Sequence, residues 1–133
     1  VELFVDHRWL LDRQEDLLGK ELGVNDYSGL VAAVARHRVN TPRLDVGDPD
    51  IYWRAAALLD TIVLQRPLPA RNELYGYGVA VAYVEACGES LEASYEQWRD
   101  LIADIRALRL DVYDIADRLR SWRAAGGPTS RAR

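Results

Sequence analysis

Residues 65–88 read QRPLPARNELYGYGVAVAYVEACG. Pro67 and Pro69 stand two positions apart, too close to lie within a helix, because each lacks an amide donor and pushes the preceding residue out of helical geometry. The segment before Asn72 is therefore a turn. From Asn72 to about Gly88 the apolar residues return, and Gly76, Gly78, Ala80, Ala82 and Ala86 keep part of the surface small. Such a helix lets a neighbour approach closely. The stretch thus predicts a tight connection leading into a core helix.

Working outward, the segment before the turn is equally apolar. Asp48-Pro49 is a start signal, since Asp caps free amides and Pro is tolerated in the first helical turn. The helix that follows runs to about Gln65 and carries Ala55, Ala56, Leu58, Leu59, Ile62 and Val63 on more than one face, which places it inside the fold. Residues 8–22 form an amphipathic pattern around Trp9, Leu10, Leu17, Leu18 and Leu22, stopped by Gly23. Asn25 or Asp26 caps a second helix reaching about His37, with Leu30, Val31, Val34 and Ala35 as its apolar stripe. Residues 39–47 break the pattern with Asn40, Pro42 and Gly47. Ser94 with Gln97 reads as a capping box for a helix bearing Trp98, Leu101, Ile102 and Ile105. Asp111 caps the last helix, whose Val112, Ile115, Ala116, Leu119 and Trp122 share one face. The expectation is an all-α domain over residues 1–124, a compact bundle of about six helices with two central hydrophobic ones, and a basic tail at 125–133.

Composition narrows the function classes. The chain has 133 residues, 49% hydrophobic and 29% charged, with a net charge of −4. That balance does not suit a protein that coats nucleic acid, so no direct nucleic-acid partner is expected. Arginine dominates the basic residues, Lys20 being the single lysine. The single cysteine, Cys87, falls at the end of an apolar helix and reads as a buried, inert thiol. His7 and His37 lack metal-site spacing, and no metal site is expected. The sequence carries neither a leader pattern nor an apolar run near the ~18 residues of a membrane span, which points to a cytoplasmic protein with no membrane partner.

The order of elements resembles the Fic-domain family, and most of all its Doc branch, the toxins of Phd–Doc toxin–antitoxin pairs. The stretch GVNDYSGLVAAVARH at residues 23–37 is similar to the Doc opening, and DVYDIADRLRSW at 111–122 is similar to its final helix. The resemblance spans residues 7–122. The family motif is His-Pro-Phe-x-Asp/Glu-Gly-Asn-Gly/Lys-Arg at the start of the second core helix. Against it, without gaps, this chain places Arg66, Pro67, Leu68, Pro69, Ala70, Arg71, Asn72, Glu73 and Leu74. Pro67 and Asn72 match, and Leu68 keeps the apolar anchor.

The remaining positions differ in chemistry. The resemblance implies a histidine general base where Arg66 stands, and a guanidinium is not deprotonated at usable pH. It implies a carboxylate for magnesium where Ala70 has no ligand oxygen. It implies glycine where Arg71 brings a Cβ to a position needing positive φ, at a cost of roughly 1 kcal/mol. It implies a phosphate-clamping arginine where Leu74 has no fork. No catalytic residue is therefore assigned. The candidate contacts of this degenerate loop with an anion or nucleotide are Arg66, Arg71, Asn72 and Glu73, set against their reading as a solvated polar loop.

Two functional expectations follow. The first is a non-catalytic binding or regulatory protein related to toxin–antitoxin modules, with no cofactor and with an antitoxin-like protein or a second copy as partner. The alternative is an active toxin that moves phosphate or AMP from ATP, with magnesium, to a hydroxyl of a translation factor; its base would come from the target or from His37. A plainer reading makes the chain an unrelated helical bundle. Tyr75 and Tyr83, eight residues apart, read as packing residues or as partner contacts, and Trp9, Trp53, Trp98 and Trp122 as core or interface residues.

Overall fold

The computed structural model describes residues 3–19, 23–24, 26–39 and 49–124. Among them it contains six helices: α1 (His7–Leu18), α2 (Tyr27–His37), α3 (Ile51–Gln65), α4 (Asn72–Ala86), α5 (Tyr95–Arg106) and α6 (Val112–Ser121). The sequence signals account for most boundaries. Ser94 and Gln97 exchange both bonds of a capping box at α5, and Asp111 and Asp114 do the same at α6. Residues 40–48 and the 125–133 tail lie outside the described residues.

Three boundary expectations change. α1 ends at Gly19, not Gly23, because Gly19 takes φ 77° and its amide closes back on Glu15. α3 is capped by Asp50, whose side chain accepts from the Trp53 amide; Asp48 lies outside the described residues. The buried face of α2 is Gly29, Leu30, Ala33 and His37, while Val31 is 61% exposed and Ala35 is exposed as well. The face turned inward is thus rotated from the one hydrophobicity alone selects.

α3 is the axis of the domain. Every residue from Tyr52 to Val63 is buried, and α2, α4, α5 and α6 all pack against it. α4 covers α3 on one side and α1 on the other. The glycines of α4 make this approach possible: a Cβ on Gly76 would lie 3.1 Å from both Leu59 and Val63 of α3, and one on Gly78 would collide with Leu17 of α1. α5 and α6 close the remaining flank, where Trp98 meets Tyr77 and Trp122 at ring distances of 4.5 and 4.9 Å.

Burying α3 on all sides also buries Arg54, Asp60 and Thr61, and each of the three finds a partner. Arg54 is fully buried and donates to the carbonyls of His37 and Val39 at 2.7 and 2.8 Å, closing the end of α2. Asp60 and Thr61 receive the Arg36 guanidinium at 2.7 and 3.2 Å. Two further ties cross the fold without helices. Leu91 and Arg123 form an isolated antiparallel bridge, flanked by Glu92 N–H to Trp122 O (2.7 Å) and Ala124 N–H to Ser90 O (2.8 Å). Residues 3–6 run along the ends of α2 and α4 ahead of α1.

Candidate functional site

The connection between the two central helices is built from backbone outward. α3 ends at Arg66, a left-handed residue with φ 51° whose amide bonds to Ile62 O at 3.0 Å. Pro67 and Leu68 then turn into the core, Leu68 being only 2% exposed. The Pro67 carbonyl accepts the Asp26 amide at 3.1 Å, which docks the turn on the start of α2. That contact needs Gly29, since a Cβ there would stand 3.2 Å from the Pro67 Cβ. Arg71 takes φ 63° as the N-cap of α4, the left-handed geometry expected at this position, and its side chain makes no cap bond.

Asn72 is fully buried. Its Oδ1 accepts the Leu68 amide and its Nδ2 donates to the Leu68 carbonyl, both at 2.9 Å. The side chain thus acts as a false strand that pins the turn to the helix start. Glu73 faces outward and accepts Arg66 Nη1 at 3.0 Å, with Arg106 of α5 at 3.7 Å on its other oxygen. All three side chains are partly exposed, so each pair contributes about 0–1 kcal/mol. Arg71 is exposed and has no ion pair among the described residues. Arg66 and Arg71 thus stand at the two ends of the turn and Asn72 and Glu73 in the first turn of α4, but Asn72 points inward while the other three face solvent.

Beside this loop a groove of about 560 Å³ runs between α4 and α5. Leu74, Tyr77, Trp98 and Ile102 line it, with Glu73 and Arg106 at the end next to the loop. The lining is mostly apolar and bounded by charge, as in a site for a macromolecular or drug-sized ligand. Arg106 and Gly29 are not singled out by sequence, and Asp26 reads there only as the cap of α2, which it is. Gly29, in the first turn of a helix, was a readable sign of close approach, whereas nothing local marks Arg106 as a neighbour of Glu73.

His37 does not belong to this site. It ends α2, whose first turn touches Pro67, so the length of the helix, roughly 12 Å at 1.5 Å per residue, separates its ring from the loop. Its ring is fully buried. Burial holds its pKa below the ordinary 6.5, with Arg38 and Arg54 adding to the effect against an opposing bond to Val34. The structure thus does not bring His37 to the loop. Tyr75 and Tyr83 are also fully buried, and their hydroxyls donate to Leu10 O (2.7 Å) and Leu3 O (2.5 Å). They hold the N-terminal part of the chain; they are not exposed for a partner.

No family model matches the chain. A protein named Toxin Doc from Mycolicibacterium smegmatis (strain ATCC 700084 / mc(2)155) is 31% identical to it over 123 residues, which is 86% of this chain and 94% of that protein. The chain belongs to the Doc toxin family. The all-helical architecture agrees, with two central helices joined by the turn at 66–71. The reading as an unrelated bundle is set aside. Among the described residues of this Doc-family chain, no helix is long and apolar enough to cross a membrane.

Proposed function

We propose that this Doc-family protein is a toxin–antitoxin-related binding protein whose 66–71 loop no longer performs group transfer. One observation carries the reading: Asn72, the polar residue retained from the family motif, uses its amide oxygen and nitrogen on the Leu68 backbone. The neighbouring groups support it. Arg66 occupies the place of the base and is paired with Glu73, Ala70 offers no ligand oxygen, and Leu74 turns to the groove. This donor set does not fit a magnesium–nucleotide complex of the family type, and no chemical step is derived through one. The partner is an antitoxin-like chain, for which the apolar groove between α4 and α5 supplies a surface.

Calorimetric titration with ATP, with and without magnesium, tests the first half. No magnesium-dependent heat is expected, and adding the protein to a bacterial lysate should pass no label from ATP to protein beyond that of the lysate alone. Transfer of phosphate or AMP that disappears in Arg66→Ala would overturn the proposal. The relative's printed name favours a second reading, a working toxin with altered chemistry. Growth arrest on expression, relieved by Arg66→Ala, would decide for it.

A further inference from the structure

Residues 3–6 are held by side chains from three helices. Tyr83 of α4 donates to Leu3 O, Arg38 after α2 donates to Val5 O through Nε (3.2 Å) and Nη2 (3.0 Å), and Arg54 of α3 lies 4.8 Å from the centre of the Phe4 ring. The remaining hold is of a different kind. The Val5 amide donates to Nε2 of His37 at 3.0 Å, while Nδ1 faces Val34 O at 2.5 Å. A carbonyl accepts, so Nδ1 carries the proton and Nε2 offers a lone pair. Only the neutral ring can do both.

A second proton on the ring would set an N–H against the Val5 N–H. It would also place a positive charge among positive neighbours. Among the described residues, the charged groups facing the ring are Arg38 on its own element and Arg54 from α3; α4 contributes Tyr83, at a ring distance of 5.9 Å, and residues 3–6 contribute Phe4, at 6.1 Å. The rest of the N-terminal region has separate anchors: Tyr75 holds Leu10 O, and Leu17 packs on Gly78. We propose that His37 is a pH-dependent latch: protonation of its ring releases residues 3–6 while the helical body stays folded.

The sign follows from linkage. The ring binds its proton less readily with the segment latched than in the released state, where its affinity returns toward the ordinary 6.5. The latch is therefore fully closed above that value and weakens as pH falls from it to the lowered value, below which the effect levels off. Within that window the release constant rises about tenfold per pH unit for one proton.

Amide hydrogen exchange by NMR between pH 7.5 and 4.5, corrected for the intrinsic exchange rate, reads the release directly. The expected result is that Val5 protection falls about tenfold per pH unit below the ordinary 6.5 and levels off where the His37 ring itself titrates by ¹⁵N shift, while Val79 and Ala80 in α4 stay protected. In His37→Gln, whose amide oxygen accepts without titrating, the Val5 protection is expected to be independent of pH. The wild-type comparison stands alone if that variant does not fold. Constant Val5 protection between pH 6.5 and the His37 titration, parallel loss at Val79, or no ring titration before global unfolding would each overturn the latch. So would an undiminished pH slope in His37→Gln.

Discussion

Replacing Asn72 by alanine separates a structural role from a ligand-binding one. The wild-type side chain makes two buried bonds of 2.9 Å to the Leu68 backbone. Removing them leaves one amide and one carbonyl unpaired, at about 1–3 kcal/mol each. The turn lies near the surface, and water entering the vacated space offsets part of that cost, so the expected loss is about 2–4 kcal/mol. For 133 residues, an unfolding entropy of ~2.1 cal/mol/K per residue converts this to a fall of roughly 7–14 °C in Tm. Urea titration followed by tryptophan fluorescence measures it, with thermal unfolding as a check. Asn72→Asp sharpens the test: its carboxylate still accepts the Leu68 amide but faces the Leu68 carbonyl, so its folded-state pKa is raised. Its penalty should be full at neutral pH and shrink as pH falls through that raised value. A loss under ~0.5 kcal/mol for Asn72→Ala would refute the reasoning and return Asn72 to the list of ligand contacts.

Other predictions rest on separate parts of the fold. Gly76→Ala should cost about 1–2 kcal/mol more than Gly78→Ala in urea, because its new methyl meets the buried Leu59 and Val63, whereas the Leu17 side chain facing Gly78 is 38% exposed and can swing away; equal effects would contradict the packing described. Arg54→Met should destabilise by about 2–4 kcal/mol through the loss of two charge-assisted bonds to the end of α2. A change below ~1 kcal/mol would mean those carbonyls find other donors. The Tyr52 hydroxyl, pushed up to about 12 by burial and then by Glu89, should ionise later than an ordinary tyrosine. Its folded-state value is raised, so its contribution to stability is full below pH 10 and is lost as pH climbs toward 12. Absorbance titration at high pH, with Tyr52→Phe to assign the signal, should show Glu89→Gln lowering that value only in part.

Much of this fold is legible because its signals are local. Two prolines, the caps at Ser94 and Asp111, and a run of small residues in α4 each act within a few positions of themselves, whereas the left-handed turn at Arg71 is expected only through the family resemblance. The buried face of α2 is not legible in that way. Val31 is more hydrophobic than His37, yet His37 is the one turned inward, because its ring satisfies the Val5 and Val34 backbone and its carbonyl receives Arg54. The bonds to Val5 and Arg54 span 32 and 17 residues of sequence and leave no periodic trace. At the candidate site the sequence identifies the loop and its members. It does not reveal that Asn72 is turned inward or that Arg106, from a helix distant in sequence, reaches Glu73.

The bridge between Leu91 and Arg123 has a consequence for the groove. α5 forms one of its walls, and α5 is fastened at both ends: by the bridge and its two flanking bonds at the start, and by Asp104 to Arg109 (2.9 Å) and Arg118 (3.4 Å) near the finish. Trp98, midway, is wedged against Trp122. A cleft braced in this manner keeps its width in the absence of any occupant. A chain that docks there meets a finished mould, and the entropy of ordering falls on the incoming segment alone. Loosening the brace, for example with Glu92→Pro, which removes the amide that donates to Trp122 O, would then slow association without touching a single lining residue.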